Sequence, residues 1–175
     1  MKRSVLALVT NVATGVALAA GLVTPGGCAG EKPPPATARP AADPATAQSS
    51  VISADILARE PVANTAMVKH ILISWADLAE SFGGRLDKRA AARTKADAEA
   101  VVRSLLKQLK DGADFDTVMK ASSEDTGSAA SGHAFTVTPD AQLVIEFRQL
   151  SLRLNVGEYG VVQSDFGFHI IKRFS

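Results

Sequence analysis

The spacing of apolar residues changes repeatedly along the chain, and each change predicts a different kind of segment. From Val5 to Val23 almost every residue is apolar or small, with Thr10, Asn11 and Thr14 as polar breaks. Residues 29–50 then contain no large apolar side chain. Val51, Ile52, Ile56, Leu57 and Val62 restore aliphatic character over 51–65, which leaves open either a short helix packed on a domain or a docking segment. The β-branched run from Met67 to Ser74 predicts a buried strand. Trp75 to Ala92 is mixed, a loop with helix at its alanine-rich end.

Helical spacing begins after Thr94, a residue suited to N-capping, with Asp97 placed to complete a capping box. Ala98, Val101, Val102, Leu105 and Leu109 follow at helical intervals until Gly112. Asp114 predicts the cap of a second, short helix that buries Phe115, Val118 and Met119. Residues 122–132 are small and polar, a loop or single turn. Phe135 to Thr138 fits a short strand. Asp140 predicts the cap of a third helix with Leu143, Val144, Phe147 and Leu150 on one face. Asn155 to Gly160 predicts a turn, Val161 to Gln163 a strand, Asp165 to Gly167 a tight turn, and Phe168 to Phe174 the last strand. This order predicts an α+β domain from about residue 66 to 175, with helices around a small antiparallel sheet.

The N-terminal apolar stretch changes meaning once its flanks are read. Lys2 and Arg3 precede it, and Thr24-Pro25-Gly26-Gly27-Cys28 follows. That layout predicts a signal peptide over residues 1–27. A retained membrane helix is the rival, because the stretch approaches spanning length, and the glycine- and proline-rich end argues against it. Small residues before the single cysteine resemble a bacterial lipoprotein box, in which Cys28 is acylated and becomes the mature N-terminus. Pro25 departs from that box, where an aliphatic residue is usual, and cleavage after Ala17-Leu18-Ala19 is the alternative. Five of the eight prolines (33, 34, 35, 40 and 44) lie in residues 28–50, so this segment is expected to be a disordered, extended tether. At about 3.1 Å per residue it reaches roughly 60–70 Å.

Composition and charge exclude little else. The chain is 46% hydrophobic and 21% charged, as a globular protein is. Loss of residues 1–27 removes two basic residues and no acid, leaving 17 basic against 18 acidic. A balance of −1 offers no electrostatic footprint for nucleic acid or an anionic membrane surface. One cysteine permits no intrachain disulfide.

Two of the three histidines, His70 and His169, sit inside aliphatic strand patterns, where a hydrogen-bonded core histidine is the plain reading. The surrounding motifs change that. His70-Ile71-Leu72-Ile73 opens the domain. Arg93-Thr94-Lys95 introduces a helix, and Gly112-Ala113-Asp114-Phe115 the next. Ser123-Glu124-Asp125-Thr126-Gly127-Ser128-Ala129 follows, and Phe166-Gly167-Phe168-His169-Ile170-Ile171-Lys172 closes the series. Together, in this order, they resemble the parvulin family of prolyl isomerases from about Val68 to Phe174.

The resemblance implies a four-stranded antiparallel sheet surrounded by about three to four helices. It implies catalysis of cis/trans isomerisation at X-Pro bonds, with His70 and His169 as paired strand histidines. Asp125 matches the polar residue that faces substrate, and Ser164 the hydroxyl of the same hydrogen-bond network. Phe135, Leu143 and Phe147 match the proline pocket. No cofactor or metal is implied. The expected partners are X-Pro-containing unfolded or exported polypeptides, met by a monomeric domain tethered to a membrane of the bacterial envelope, without nucleic acid. The chain departs from the family at Gly132-His133-Ala134-Phe135-Thr136, where Gly-Gly-Asp-Leu-Gly is usual. That departure favours the alternative function, a client-binding chaperone module without useful catalysis. Ser74 stands where phosphoserine-dependent relatives carry a lysine. Arg85, Lys88 and Arg89 are nearby, and no strong phosphate requirement is expected. A serine hydrolase is disfavoured because neither Ser123 nor Ser128 lies in a nucleophile-elbow context.

Overall fold

The computed structural model describes residues 49–175, so the expected signal peptide, Cys28 and the tether up to residue 48 lie outside the described residues. Ser49 is already buried, and Ser50 accepts a hydrogen bond from Arg103.

Four strands, β1 (Ala66–Ile73), β2 (Phe135–Val137), β3 (Tyr159–Ser164) and β4 (Gly167–Arg173), form one antiparallel sheet in the order β2-β1-β4-β3. Alternation of side chains gives the sheet two different faces. Ile71, Ile73, Val161, Phe168 and Ile170 point to one, beneath α3 (Lys95–Lys110) and α4 (Phe115–Ser122). Val68, Val137, Val162 and Ile171 point to the other, against α1 (Ala54–Leu57) and α6 (Ile145–Ser151). A 3-10 helix (Ala76–Phe82), α2 (Lys88–Ala91) and α5 (Thr126–Ser131) complete the fold.

Local signals explain the helix starts. Thr94 and Asp97 form the reciprocal capping box at α3, and the Asp114 side chain accepts the Thr117 N–H at α4. Two readings are corrected. The stretch after Ser122 contains α5, because Asp125 accepts the Ser128 N–H and caps it. Helix α6 begins only at Ile145, with Val144 at its N-cap, so Asp140 caps nothing. Asp140 accepts instead from Thr138 Oγ1, and Arg148 donates to the carbonyls of Pro139 and Ala141, which holds residues 138–141 as a turn. Leu143 therefore precedes the helix rather than sitting one turn before Phe147 on it.

Residues 51–65 are packed on the domain. The Ser53 N–H donates to Val161 O, and the Val161 N–H donates to Ser53 Oγ, which closes the open edge of β3. Gly160 lets this happen, since a Cβ there would stand 3.1 Å from Ile56 and 3.2 Å from Leu150. Arg59 then forms a two-pronged ion pair with Glu158.

Candidate active site

The pairing register places four sequence-predicted residues in one diagonal row on the α6 face. Paired residues share a face: Val68 opposes Phe135, His70 opposes Ile171, Leu72 opposes His169, Val162 opposes His169, and Ser164 opposes Gly167. Phe135, His70, His169 and Ser164 are therefore successive diagonal neighbours on β2, β1, β4 and β3. The two imidazoles stack with centroids 5.3 Å apart. Phe147 of α6 stands edge-on to both, at 5.3 Å from His70 and 5.6 Å from His169.

The polar atoms of this row form one continuous chain. Ser164 Oγ lies 2.7 Å from His169 Nε2, the two Nδ1 atoms are 3.1 Å apart, and His70 Nε2 lies 3.0 Å from Asp125 Oδ2. One direction supplies every atom with a partner. Ser164 Oγ accepts the Phe166 N–H at 3.1 Å, so its own proton is free for His169 Nε2. His169 then carries its proton on Nδ1 and donates it to His70 Nδ1. His70 in turn holds its proton on Nε2 and donates to the Asp125 carboxylate. In this arrangement each link has one proton and neither ring needs a second.

Burial, with the neighbouring His70, pushes the His169 pKa down to about 3. The Asp125 carboxyl is held well below the usual carboxylate range, first by its bond from His70 and then by the Ser128 hydroxyl and N–H. Asp125 thus carries the site's charge and is its most exposed member, with 31% of its side chain accessible against 6% for His70.

Sequence reasoning missed the residues that aim Asp125. Ser128 donates its hydroxyl to Asp125 Oδ2 at 2.6 Å, and its place three residues after the cap was the available signal. Before Asp125, Leu72 N–H donates to Ser123 Oγ and Glu124 N–H donates to Leu72 O, so the loop adds to the edge of β1. The Glu124 carboxylate is buried. It accepts the Ser74 N–H at 2.6 Å and pairs with Arg93 Nη1 at 2.6 Å, although no N–H is aligned on Oε1. Burial raises its pKa against these partners. Arg89 is tied to Asp87 and to the carbonyls of Ala121, Ser122 and Ser123.

A cavity of about 390 Å³ opens beside the row. His70, His169, Asp125, Glu124 and Thr126 supply its polar wall, and Leu72, Phe82 and Phe166 its apolar one. None of the three expected proline-pocket residues lines it. They gather next to His70 instead: Phe135 stands edge-on to the imidazole at 5.3 Å, 5.8 Å from Phe147, and Leu143 packs half-buried in the same apolar cluster. Phe147 is only 3% exposed. His133 packs edge-on against Phe135 at 4.8 Å. Among the described residues, no three His, Cys, Asp or Glu side chains are grouped to hold a metal ion.

Comparison with known proteins adds to this geometry. Residues 54–174 match the family model described as the PPIC-type PPIase domain. Foldase protein PrsA of Geobacillus kaustophilus is 31% identical over 108 residues, covering 61% of this chain and 38% of that protein. Chaperone SurA of Pseudomonas aeruginosa is 34% identical over 86 residues, covering 49% of this chain and 21% of that protein. The chain thus aligns with well under half of each of these relatives. The solution structure of TbPIN1 superposes with a TM-score of 0.55 at 22% identity, covering 65% of this chain and all of that one, which shows a shared α+β fold.

Proposed function

The chain belongs to the family of PPIC-type peptidyl-prolyl isomerase domains, the parvulins, and from that premise we propose that it isomerises X-Pro bonds in unfolded exported polypeptides. The observation that carries this reading is the unbroken relay from Ser164 to Asp125 along the wall of an open cavity.

The reaction makes and breaks no covalent bond. Its barrier of about 18–20 kcal/mol is the loss of amide resonance on twisting. Resonance places negative charge on the imide oxygen, and twisting withdraws it. A fixed carboxylate beside that oxygen disfavours the planar imide more than the twisted one. Asp125 is suited to this role, ionised and held by three hydrogen bonds. The histidines need not transfer a proton. They hold Asp125 in place while adding no second charge to a buried site. Phe135 and Leu143 would receive the pyrrolidine ring, over a floor of Phe147.

The sequence of residues 1–50 supports export, acylation at Cys28 and a tether to a membrane of the bacterial envelope. Radiolabelled palmitate that never enters the mature protein would refute the anchor. For catalysis, exchange of a proline peptide is measured by NMR for the wild type, Asp125→Ala and Phe135→Ala. Loss of rate in both variants is expected, and full activity in both would overturn the site.

A second reading has one observation in its favour. His133 covers part of Phe135, the residue expected to meet the proline ring. A client-binding module with weak catalysis would bind proline peptides with little acceleration, and His133→Gly would then raise the rate.

A further inference from the structure

The cavity has an apolar wall to which the isomerase reading gives no role. Phe166 occupies the tight turn between β3 and β4 and is 36% exposed, unusual for a phenylalanine whose backbone is so firmly held. Its N–H donates to Ser164 Oγ, the first member of the relay. Its carbonyl accepts from Ser74 Oγ at 2.6 Å. The next residue, Gly167, has φ +131°, and a Cβ there would meet Ile73 O at 2.6 Å, so the turn has one conformation and little tolerance. Opposite it, Phe82 ends the 3-10 helix, and Gly83 and Gly84 carry the chain away at φ 58° and 77°. The two rings meet edge to face, 5.5 Å apart, both on the cavity. One ring is thereby tied through its backbone to the histidine relay, and the other approaches from a separate loop.

The polar wall is anionic. Among the described residues no lysine or arginine lines the cavity. Of the basic residues that follow Phe82, Arg89 is spent on Asp87 and three carbonyls and Arg93 on Glu124, while Arg85 and Lys88 are exposed and do not line the cavity. An anion entering the cavity would face Asp125 with no cationic side chain on the cavity wall.

We propose that Phe82 and Phe166 form a side-chain subsite that selects an aromatic or large aliphatic residue next to the substrate proline and rejects an acidic or phosphorylated one. The apolar rings bury an uncharged side chain, and an aromatic one gains ring–ring contact in addition. This rests on the isomerase reading, so the test separates the two.

The full chain is assayed by NMR exchange on peptides Ala-Xaa-Pro-Phe, with Xaa as Phe, Leu, Ala, Lys, Glu or phosphoserine, and binding of the same peptides is titrated. Variants are Phe82→Ala, Phe82→Leu and, as a control on a distant exposed residue, Val62→Ala. The wild type is expected to favour Phe and Leu over Ala, with Glu and phosphoserine lowest. Phe82→Ala should cut the Phe-to-Ala ratio of kcat/KM by about 3- to 10-fold. Phe82→Leu should restore part of it, and Val62→Ala should leave it alone. An unchanged ratio in Phe82→Ala, or Glu-Pro processed as fast as Phe-Pro, overturns the subsite while isomerase activity stands. If no peptide is isomerised, the isomerase reading fails and binding decides. Weaker binding of the Phe-Pro peptide to Phe82→Ala supports the subsite, and equal or absent binding overturns it.

Discussion

Acid should unfold this domain through His169 before its carboxylates matter. The ring is 5% exposed, accepts from Ser164, donates to His70, and has its pKa lowered from 6.5 to about 3. Because the folded pKa is the lower one, the unfolded chain takes up the proton first. Stability is complete above pH 6.5 and is lost progressively as the pH falls towards 3. One proton taken up by the unfolded chain between pH 6.5 and 5 costs on the order of 1–2 kcal/mol of stability. The assay is urea unfolding at several pH values, read by the fluorescence of Trp75. This is the sole tryptophan, 4% exposed and packed on Phe168 at 5.1 Å, so it reports the core. His169→Asn is less stable at neutral pH but loses this pH slope. Equal slopes for wild type and variant, or an NMR titration of the His169 ring centred above pH 6, would refute the neutral-relay argument.

Three other substitutions probe how the site is held. Gly167→Ala pushes a methyl against Ile73 O at a φ that L-residues avoid, and should destabilise by about 2–4 kcal/mol in the same urea assay. Arg93→Met leaves the buried Glu124 carboxylate without its counter-ion and should cost about 3–5 kcal/mol, with Arg93→Met/Glu124→Gln recovering much of it. If Arg93→Met is neutral, the off-axis ion pair contributes nothing. Ser53→Ala removes the acceptor for the Val161 N–H at the β3 edge, a loss of about 1 kcal/mol, seen as faster amide exchange at Val161.

What could be read in the sequence was whatever is local. Thr94 with Asp97, and Asp114 with Thr117, cap helices through atoms three residues apart, and both starts were predictable. Asp125 caps α5 by the same rule, but Thr126–Ser131 is short, small and polar with no apolar face to repeat, so a loop or single turn was expected. Asp140 misled for the opposite reason. It has the right type and spacing for a cap, yet Thr138 and Arg148 capture its turn. His70, His169 and Ser164 were legible from motifs, and the structure brings them to one row. Glu124 and Arg93 were not, because their importance comes from meeting across about thirty residues in a place without water. Leu143 was assigned to a helix that had not yet begun, so its partnership with Phe147 through helical spacing was wrong although both lie in one apolar cluster.

The relay also explains why the site needs the whole sheet. Its members come from β1, β3, β4 and the cap of α5, with the two histidines 99 positions apart. A slip of one residue between β1 and β4 would send His70 and His169 to opposite faces. Each imidazole would then be a buried polar ring without its partner, a loss of about 1–3 kcal/mol apiece. The hydrogen bonds therefore select the register as much as the register builds the site. A proton added to His169 Nε2 would displace the Ser164 hydroxyl proton from that bond, and one added to His70 Nδ1 would meet the His169 Nδ1 proton unless His169 moved its own to Nε2. On this argument the charge of the site belongs at its exposed end, on Asp125. On the proposed function, that end is where a substrate carbonyl would approach, and the opposite end, at Phe166, is where the neighbouring side chain would be read.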